Sequence, residues 1–344
     1  VKGGIAVEKL YIVTGAFGHL GNTVVKKLLA RGKKVRCLAL PTDKTRALPG
    51  AEFELFRGDV RDKASLAPLF KTGVPCEKII IHTAGIVTLA TKHVQNVYDV
   101  NVTGTKNIID LCLENNVAKL VYVSSARVLP ELPGQQVITE AGSIDPVGVK
   151  GLYVKTKSIA TQAVLESAAQ GLDVVVVHPS SIIGPYDYGS GHLTQLVVDY
   201  LNGGLRACVR GGYDFVDVRD VARGILLAAD HGRRGQCYIL SNQFFPVIEV
   251  LDLLHEISGK GKIKTVLPKW FVHASAPLAE TYSKLLNRSP LNSHYSLFTF
   301  FNDSNFSYAK AAKELGYGTR EMKTTLKDTF AFLKEQRRLQ YTVN

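Results

Sequence analysis

The sequence predicts a doubly wound α/β fold, a parallel sheet covered by helices on both faces, followed by a smaller and mostly helical C-terminal lobe. Short β-rich runs alternate with helical patterns through the first two-thirds of the chain. Some runs are continuously apolar, as in Val174-Val175-Val176-Val177, which suits strands buried on both sides. After His178 the alternation gives way to helical, less regular segments with interspersed aromatics.

Residues 10–14 form an apolar strand that runs into glycines, and residues 19–30 have helical periodicity and stop at Gly32. Further strands are expected at 35–40, 52–57, 78–83, 119–124 and 173–178, with a long helix from about 153 to 170 before the last. A strand at 215–218 leads into a helix from Asp220, and another strand follows at 236–240. Helices at 247–258, 269–286, 307–315 and 322–337 make most of the second lobe. The expected division gives 1–190 and 213–245 to the sheet domain, and 191–212 and 246–344 to the lobe. Substrate would lie in the cleft between them.

The 344 residues are 46% hydrophobic and 21% charged, the balance of a globular chain. No apolar run reaches the length of a membrane span. Val1 to Glu8 is too short and too weakly apolar to read as a signal peptide. Cys37, Cys76, Cys112, Cys208 and Cys237 are scattered and odd in number, which suits a reducing cytoplasm. Neither they nor the nine histidines show metal-ligand spacing, so no metal is expected. The net charge is +12, gathered at 26–36, 260–269 and the C-terminus. No nucleic-acid module motif accompanies it, so it reads as solvated helix faces and attraction for a polyanionic cofactor.

The first strand ends in Thr14-Gly15-Ala16-Phe17-Gly18-His19-Leu20-Gly21. Gly15 permits the tight turn, Gly18 lets the backbone approach a pyrophosphate, and Gly21 lets the helix pack close to the strand. The helix N-terminus presents free amides to the phosphates, so Phe17, His19 and Leu20 join the three glycines as cofactor residues. This is the context of a Rossmann-type dinucleotide site. The second strand ends in Ala39 and Leu40, with no acid to read the ribose, while Lys44 and Arg46 lie just beyond, within reach of a cofactor phosphate. The cofactor is therefore read as NAD(P)(H), tilted toward NADP by the missing acid. Asp59, followed by Val60, is placed to accept from the adenine amino group; Thr83, Ala84 and Gly85 would lie against the ribose.

Tyr153 and Lys157 form YxxxK at the start of the long helix, and residues four apart share a helix face. The ammonium of Lys157 is expected near the phenol of Tyr153, lowering its pKa toward working pH and making it a proton donor or acceptor. Ser124 and Ser125 end the fifth strand at the sheet's carboxyl edge, where a hydroxyl can hold a substrate carbonyl.

Together these residues resemble the extended short-chain dehydrogenase/reductase family, the NAD-dependent epimerase/dehydratase group, over nearly the whole chain. The resemblance adds Asn101-Val102-Thr103-Gly104-Thr105, His178-Pro179-Ser180-Ser181-Ile182-Ile183-Gly184-Pro185 and Val216-Asp217-Val218-Arg219-Asp220-Val221-Ala222. It implies Tyr153 as general acid/base, Lys157 as binder of the nicotinamide ribose, and Ser125 rather than Ser124 as the catalytic serine. It places Pro179 and Ile182 beside the nicotinamide and gives Asn101 a supporting role. The C-terminal part, with Leu267-Pro268-Lys269-Trp270, Phe306 to Lys310 and Glu314 to Tyr317, is most similar to dihydroflavonol 4-reductase-like and 3β-hydroxysteroid dehydrogenase-like members. The chain departs in carrying His178 and Leu40 where relatives often carry arginine; His178 reads as a packed strand-end residue.

The expected activity is NAD(P)-dependent oxidation or reduction of a secondary alcohol or carbonyl on a fairly hydrophobic small molecule. The alternative is a nucleotide-sugar epimerase or dehydratase with tightly bound NAD. Such enzymes usually hold a diphosphate with basic groups in the second lobe, whereas here Gly211-Gly212-Tyr213-Asp214-Phe215 places an acid near the cleft, leaving Arg206 and Arg210 as substitutes. A non-catalytic dinucleotide sensor is disfavoured because Tyr153 and Lys157 are both kept. Val87, Ser125, Tyr153 and Tyr186 are the candidate substrate contacts, with Asp187 and His192 nearby in sequence. Trp270, Phe271, Tyr282, Tyr295, Phe298, Phe300 and Phe301 supply the lobe's aromatics. The resemblance further implies a homodimer formed through two long helices.

Overall fold

A computed structural model describes residues 8–43, 48, 52–88, 93–131, 136–140, 144–189, 191–267 and 304–339. Its main element is a seven-stranded sheet. In chain order the strands are β1 (Lys9–Thr14), β2 (Lys34–Ala39), β3 (Glu54–Arg57), β4 (Glu77–His82), β5 (Lys119–Val123), β6 (Val174–Pro179) and β10 (Gln236–Leu240). The spatial order is β10-β6-β5-β4-β1-β2-β3, with every pair parallel. The order therefore reverses between β1 and β4.

Strand alternation sorts the core into two layers. Tyr11, Val13, Val121, Val123, Val175 and Val177 pack with residues of α1 (His19–Leu29) and α7 (Val218–His231). Leu10, Ile12, Ile80, Leu120, Tyr122, Val174 and Val176 pack on the other face. There they meet α2 (Lys63–Phe70), α4 (Gly104–Glu114) and α5 (Leu152–Ser167). The short α3 (Gln95–Tyr98) runs through a π-turn at Asp99–Thr103 into α4.

A second core joins α6 (His192–Leu201), α8 (Val247–Ser258) and the helix Met322–Glu335 around Val197, Leu201, Phe215, Val250, Leu254 and Leu326. Its small sheet is β11-β9-β7, from Gln243–Pro246, Gly212–Asp217 and Ser181–Ile183; β12 (Thr265–Leu267) pairs separately with β8 (Ala207–Val209). The helix Ala309–Leu315 instead packs on the large sheet's α1–α7 side.

The first six expected strands fall within two residues of those observed, and 236–240 and 247–258 match in full. The helix expected from Asp220 opens at Val218, because the Asp217 carboxylate caps it by accepting from the Arg219 amide. The expected helix 269–286 and the seven aromatics between Trp270 and Phe301 lie outside the described residues.

Candidate active site

The reversal between β1 and β4 leaves a crevice beyond the strands' carboxyl ends, where sheets of this kind bind ligands. On one side is the glycine turn. Gly15 has φ +64°, and a Cβ there would lie 2.8 Å from the Ala84 nitrogen. A Cβ on Gly21 would fall 2.0 Å from the Gly15 carbonyl oxygen, so only glycine lets α1 pack this tightly. Gly18, exposed at the N-cap, has no side-chain capping bond, and the first-turn amides of α1 have no intrahelical acceptors. The side chains around these amides are tied elsewhere. Phe17 packs on Phe53 with ring centroids 6.1 Å apart, the His19 Nε2–H donates to the Pro185 carbonyl at 2.9 Å, and Leu20 packs against the core.

Facing it, the end of β4 is fixed by a hydroxyl–imidazole relay. Thr105 Oγ1 donates to the Asn101 carbonyl at 2.7 Å, so it accepts from His82 Nε2. His82 Nδ1 is then left to accept from Thr14 Oγ1 at 2.7 Å. Burial, with Lys157 adding to it, lowers the imidazole's pKa to about 3 and keeps it neutral. The Thr83 hydroxyl donates to the Thr14 carbonyl and the Ala84 amide donates to Thr14 Oγ1, so both side-chain contacts lock strand ends together. Asn101 accepts from the Ile86 amide, and its side-chain amide donates to the Ile86 carbonyl and to Thr156 Oγ1. It thereby joins the loop after β4 to α5. Gly85 is left exposed, and a Cβ there would stand 3.9 Å from Lys157 Nζ.

The catalytic candidates converge beside that gap. Lys157 is buried, donates to the Val123 carbonyl at 2.6 Å, and stands 4.4 Å from the Tyr122 ring centroid. Burial lowers its pKa to about 7. Tyr153, one turn earlier, is pushed above its ordinary value by burial, while its hydrogen bond with Ser125 pulls the other way. The lowering expected from Lys157 is not seen, and that ammonium donates instead to the Val123 carbonyl. The Ser125 hydroxyl also accepts from the Arg127 amide at 3.3 Å, whereas Ser124 bonds Thr161 inside the core. His178, fully buried, donates from Nδ1 to the Ser125 carbonyl at 3.1 Å, and burial lowers its pKa to about 4. Neither that contact nor the His82 relay could be read from the sequence. The only signal was a histidine at a strand's end in both cases.

The surroundings of the other expected residues vary. The Asp59 carboxylate is gripped by the Arg61 guanidinium and amide, and the Arg61 side chain holds its pKa below the usual range. Val60 is buried against Gly104. Pro179 is buried opposite Leu240, and Ile182 is half-buried opposite Val216. Val87 is 61% exposed after β4. The Tyr186 ring lies under Lys26, 4.0 Å from Nζ, and edge-on to Phe332, between α1 and the last described helix. Asp187 is buried and accepts from the Gly189 and Gly191 amides. Asp214 does not open to the cleft as expected. It is buried and clasps the Asn242 and Phe306 amides, and burial raises its pKa to about 6. Arg206 and Arg210 are exposed on either side of β8. Lys44 and Arg46 lie outside the described residues.

These features fit a nicotinamide dinucleotide. Bare backbone at Gly18 and Gly85 leaves open two places that a Cβ would fill, one at a helix N-terminus and one beside Lys157.

Comparison with known proteins agrees. The family model for the NAD dependent epimerase/dehydratase family matches residues 11–241. The chain is 30% identical over 327 residues to sterol demethylase protein B of Methylococcus capsulatus, covering 94% of this chain and 98% of that one. It is 29% identical over 328 residues to a putative dihydroflavonol 4-reductase of Synechocystis, covering 94% of each. The crystal structure of gox2253 superposes with a TM-score of 0.83 at 29% identity, over 96% of this chain and 99% of that one.

Proposed function

The chain belongs to the NAD dependent epimerase/dehydratase family, and from that premise we propose an oxidoreductase that interconverts a ketone and a secondary alcohol on a largely apolar small molecule. The glycine turn and Lys157 would hold NAD(P)(H), which would supply or accept the hydride. The protein's part is to orient the substrate and move a proton. In reduction the Tyr153 hydroxyl donates its proton to the developing alkoxide, and the Ser125 hydroxyl stabilises that oxygen by a hydrogen bond. The raised pKa of Tyr153 favours the protonated phenol that this direction needs. Lys157 would hold the cofactor ribose and, when charged, favours phenolate in the reverse direction.

One observation carries the proposal. The buried Lys157 ammonium stands 3.9 Å from where a Gly85 side chain would begin, one helical turn from Tyr153, whose phenol pKa is pulled down by Ser125 against the effect of burial. The apolar substrate is supported by the kinship with sterol- and flavonoid-named proteins. The two-lobe division, the substrate contacts at Val87 and Tyr186, a cytoplasmic location and a homodimer belong to the same proposal. No described helix is long and apolar enough to cross a membrane.

The test is nicotinamide absorbance with NADPH and NADH separately, over ketosteroids, flavanonols, simple ketones and nucleotide-sugars followed by product analysis. Turnover of an uncharged ketone, lost in Tyr153→Phe, supports the proposal. Conversion of a nucleotide-sugar with no net oxidation of any ketone replaces it with an epimerase.

A further inference from the structure

We propose that Arg57 reads the 2′-phosphate of the cofactor and makes this enzyme prefer NADP(H). The inference rests on the dinucleotide site described above and adds a specificity residue to it. The end of β2 carries no acid and no cation; its next residue is Leu40, 42% exposed. Across the strand pair, Arg57 stands in register with Ala39, and the Gly58 amide donates to the Ala39 carbonyl at 3.0 Å. Arg57 Nη1 reaches over the end of β2 and donates to the carbonyls of Leu40 and Asp43, each at 2.8 Å, and more weakly to Pro41 at 3.5 Å. A cation on β3 is thereby held at the end of β2, where a dinucleotide site presents its ribose reader.

The orientation is suitable. By strand alternation Arg57 shares a sheet face with Leu55 and Phe53, and Phe53 packs against Phe17 of the glycine turn. Its Nε and Nη2 donors make no hydrogen bond to a described residue, so one edge of the fork stays available while Nη1 fixes the plane. A planar guanidinium anchored in this way is suited to a dianionic phosphate. The neighbouring acids are already engaged. Asp43 accepts from the Leu40 amide at 3.0 Å, and Asp59 is gripped by Arg61.

The experiment compares adenosine 2′,5′-bisphosphate with 5′-AMP by calorimetry, then NADPH with NADH by fluorescence titration. The expected wild-type preference for the 2′-phosphate is on the order of 10- to 100-fold. Arg57→Gln should bring the two ligands together, and Arg57→Lys should keep part of the difference. Should Arg57→Gln loosen the turn, as its melting would reveal, Leu40→Asp provides the second reading. Its acid at an exposed position should turn the preference toward 5′-AMP and NADH. A wild-type protein that binds 5′-AMP and NADH without preferring the 2′-phosphate overturns the assignment, as does a preference that survives Arg57→Gln in a folded protein. Failure to bind any of the four ligands overturns the dinucleotide site itself.

Discussion

At the residue scale, the site separates proton chemistry from charge. Tyr153 is kept protonated by burial, while Lys157 is close to half-charged at neutral pH. Tyr153→Phe keeps the ring and removes the proton, so kcat should fall by about 10²- to 10⁴-fold while cofactor titrations stay near wild type. A loss of cofactor binding instead would make the phenol a structural group. Lys157 has its own signature in stability. Its folded pKa of about 7 lies below the ordinary 10.5, so between these values the unfolded chain holds a proton that the folded one lacks. Stability should therefore rise with pH across that window, by up to about 1.4 kcal/mol per pH unit from this group. Denaturant titrations at pH 7, 8.5 and 10 should show that rise in the cofactor-free protein and its loss in Lys157→Met. The YxxxK spacing and the serine after the fifth strand were legible because they follow helix and strand periodicity. The engagement of Asp59 by Arg61 and of His178 by the Ser125 carbonyl was not, since both depend on where side chains meet after folding.

At the element scale, the glycine turn is fixed by sterics that single substitutions test. Gly21→Ala would drive a Cβ to 2.0 Å from the Gly15 carbonyl oxygen, which can relieve the clash only by moving α1 away from β1. The expected cost is about 1–3 kcal/mol, with weakened dinucleotide binding. Gly73→Ala, where nothing lies within 4 Å of the added carbon, should leave both nearly unchanged. Equal melting temperatures for the two variants would contradict this account of the turn. The strands of the large sheet were legible because burial on both faces demands unbroken apolar runs, as in Val174 to Val177, each fully buried. The three-residue strands β7, β8 and β12 carry no usable periodicity and are defined by their pairing partners. The π-turn at Asp99–Thr103 is equally silent in sequence, yet it carries Asn101, whose side chain joins the loop after β4 to α5.

At the scale of the whole molecule, buried titratable groups predict an acid-sensitive fold. His82 and His178 have folded pKa values of about 3 and 4 against an ordinary 6.5. Burial is the largest cause in both, and His19 and His192 are lowered in the same way. As pH falls below 6.5 the unfolded chain takes up protons that these imidazoles refuse, so stability falls with pH. Asp214 opposes them. Its folded pKa of about 6 exceeds the ordinary 3.8, so between those values the folded protein holds the extra proton and gains stability as pH drops. Two strongly shifted histidines against one aspartate leave a net of about one proton favouring the unfolded state between roughly pH 4 and 6, and less above pH 6.5, where the unfolded histidines are only partly protonated. Stability should therefore decline from about pH 6.5 downward, with a nearly even slope between pH 6 and 4. Below 3.8 the carboxylates held low by partners, Asp217 and Asp59, add their own loss. Asp214→Asn keeps a side-chain carbonyl to accept the Asn242 and Phe306 amides while removing the titration, so it should steepen the decline between pH 4 and 6. Urea midpoints measured from pH 7.5 to 4 on the wild type and this variant test the balance. Parallel curves would show that Asp214 titrates near its ordinary value and that its burial costs less than the fold implies.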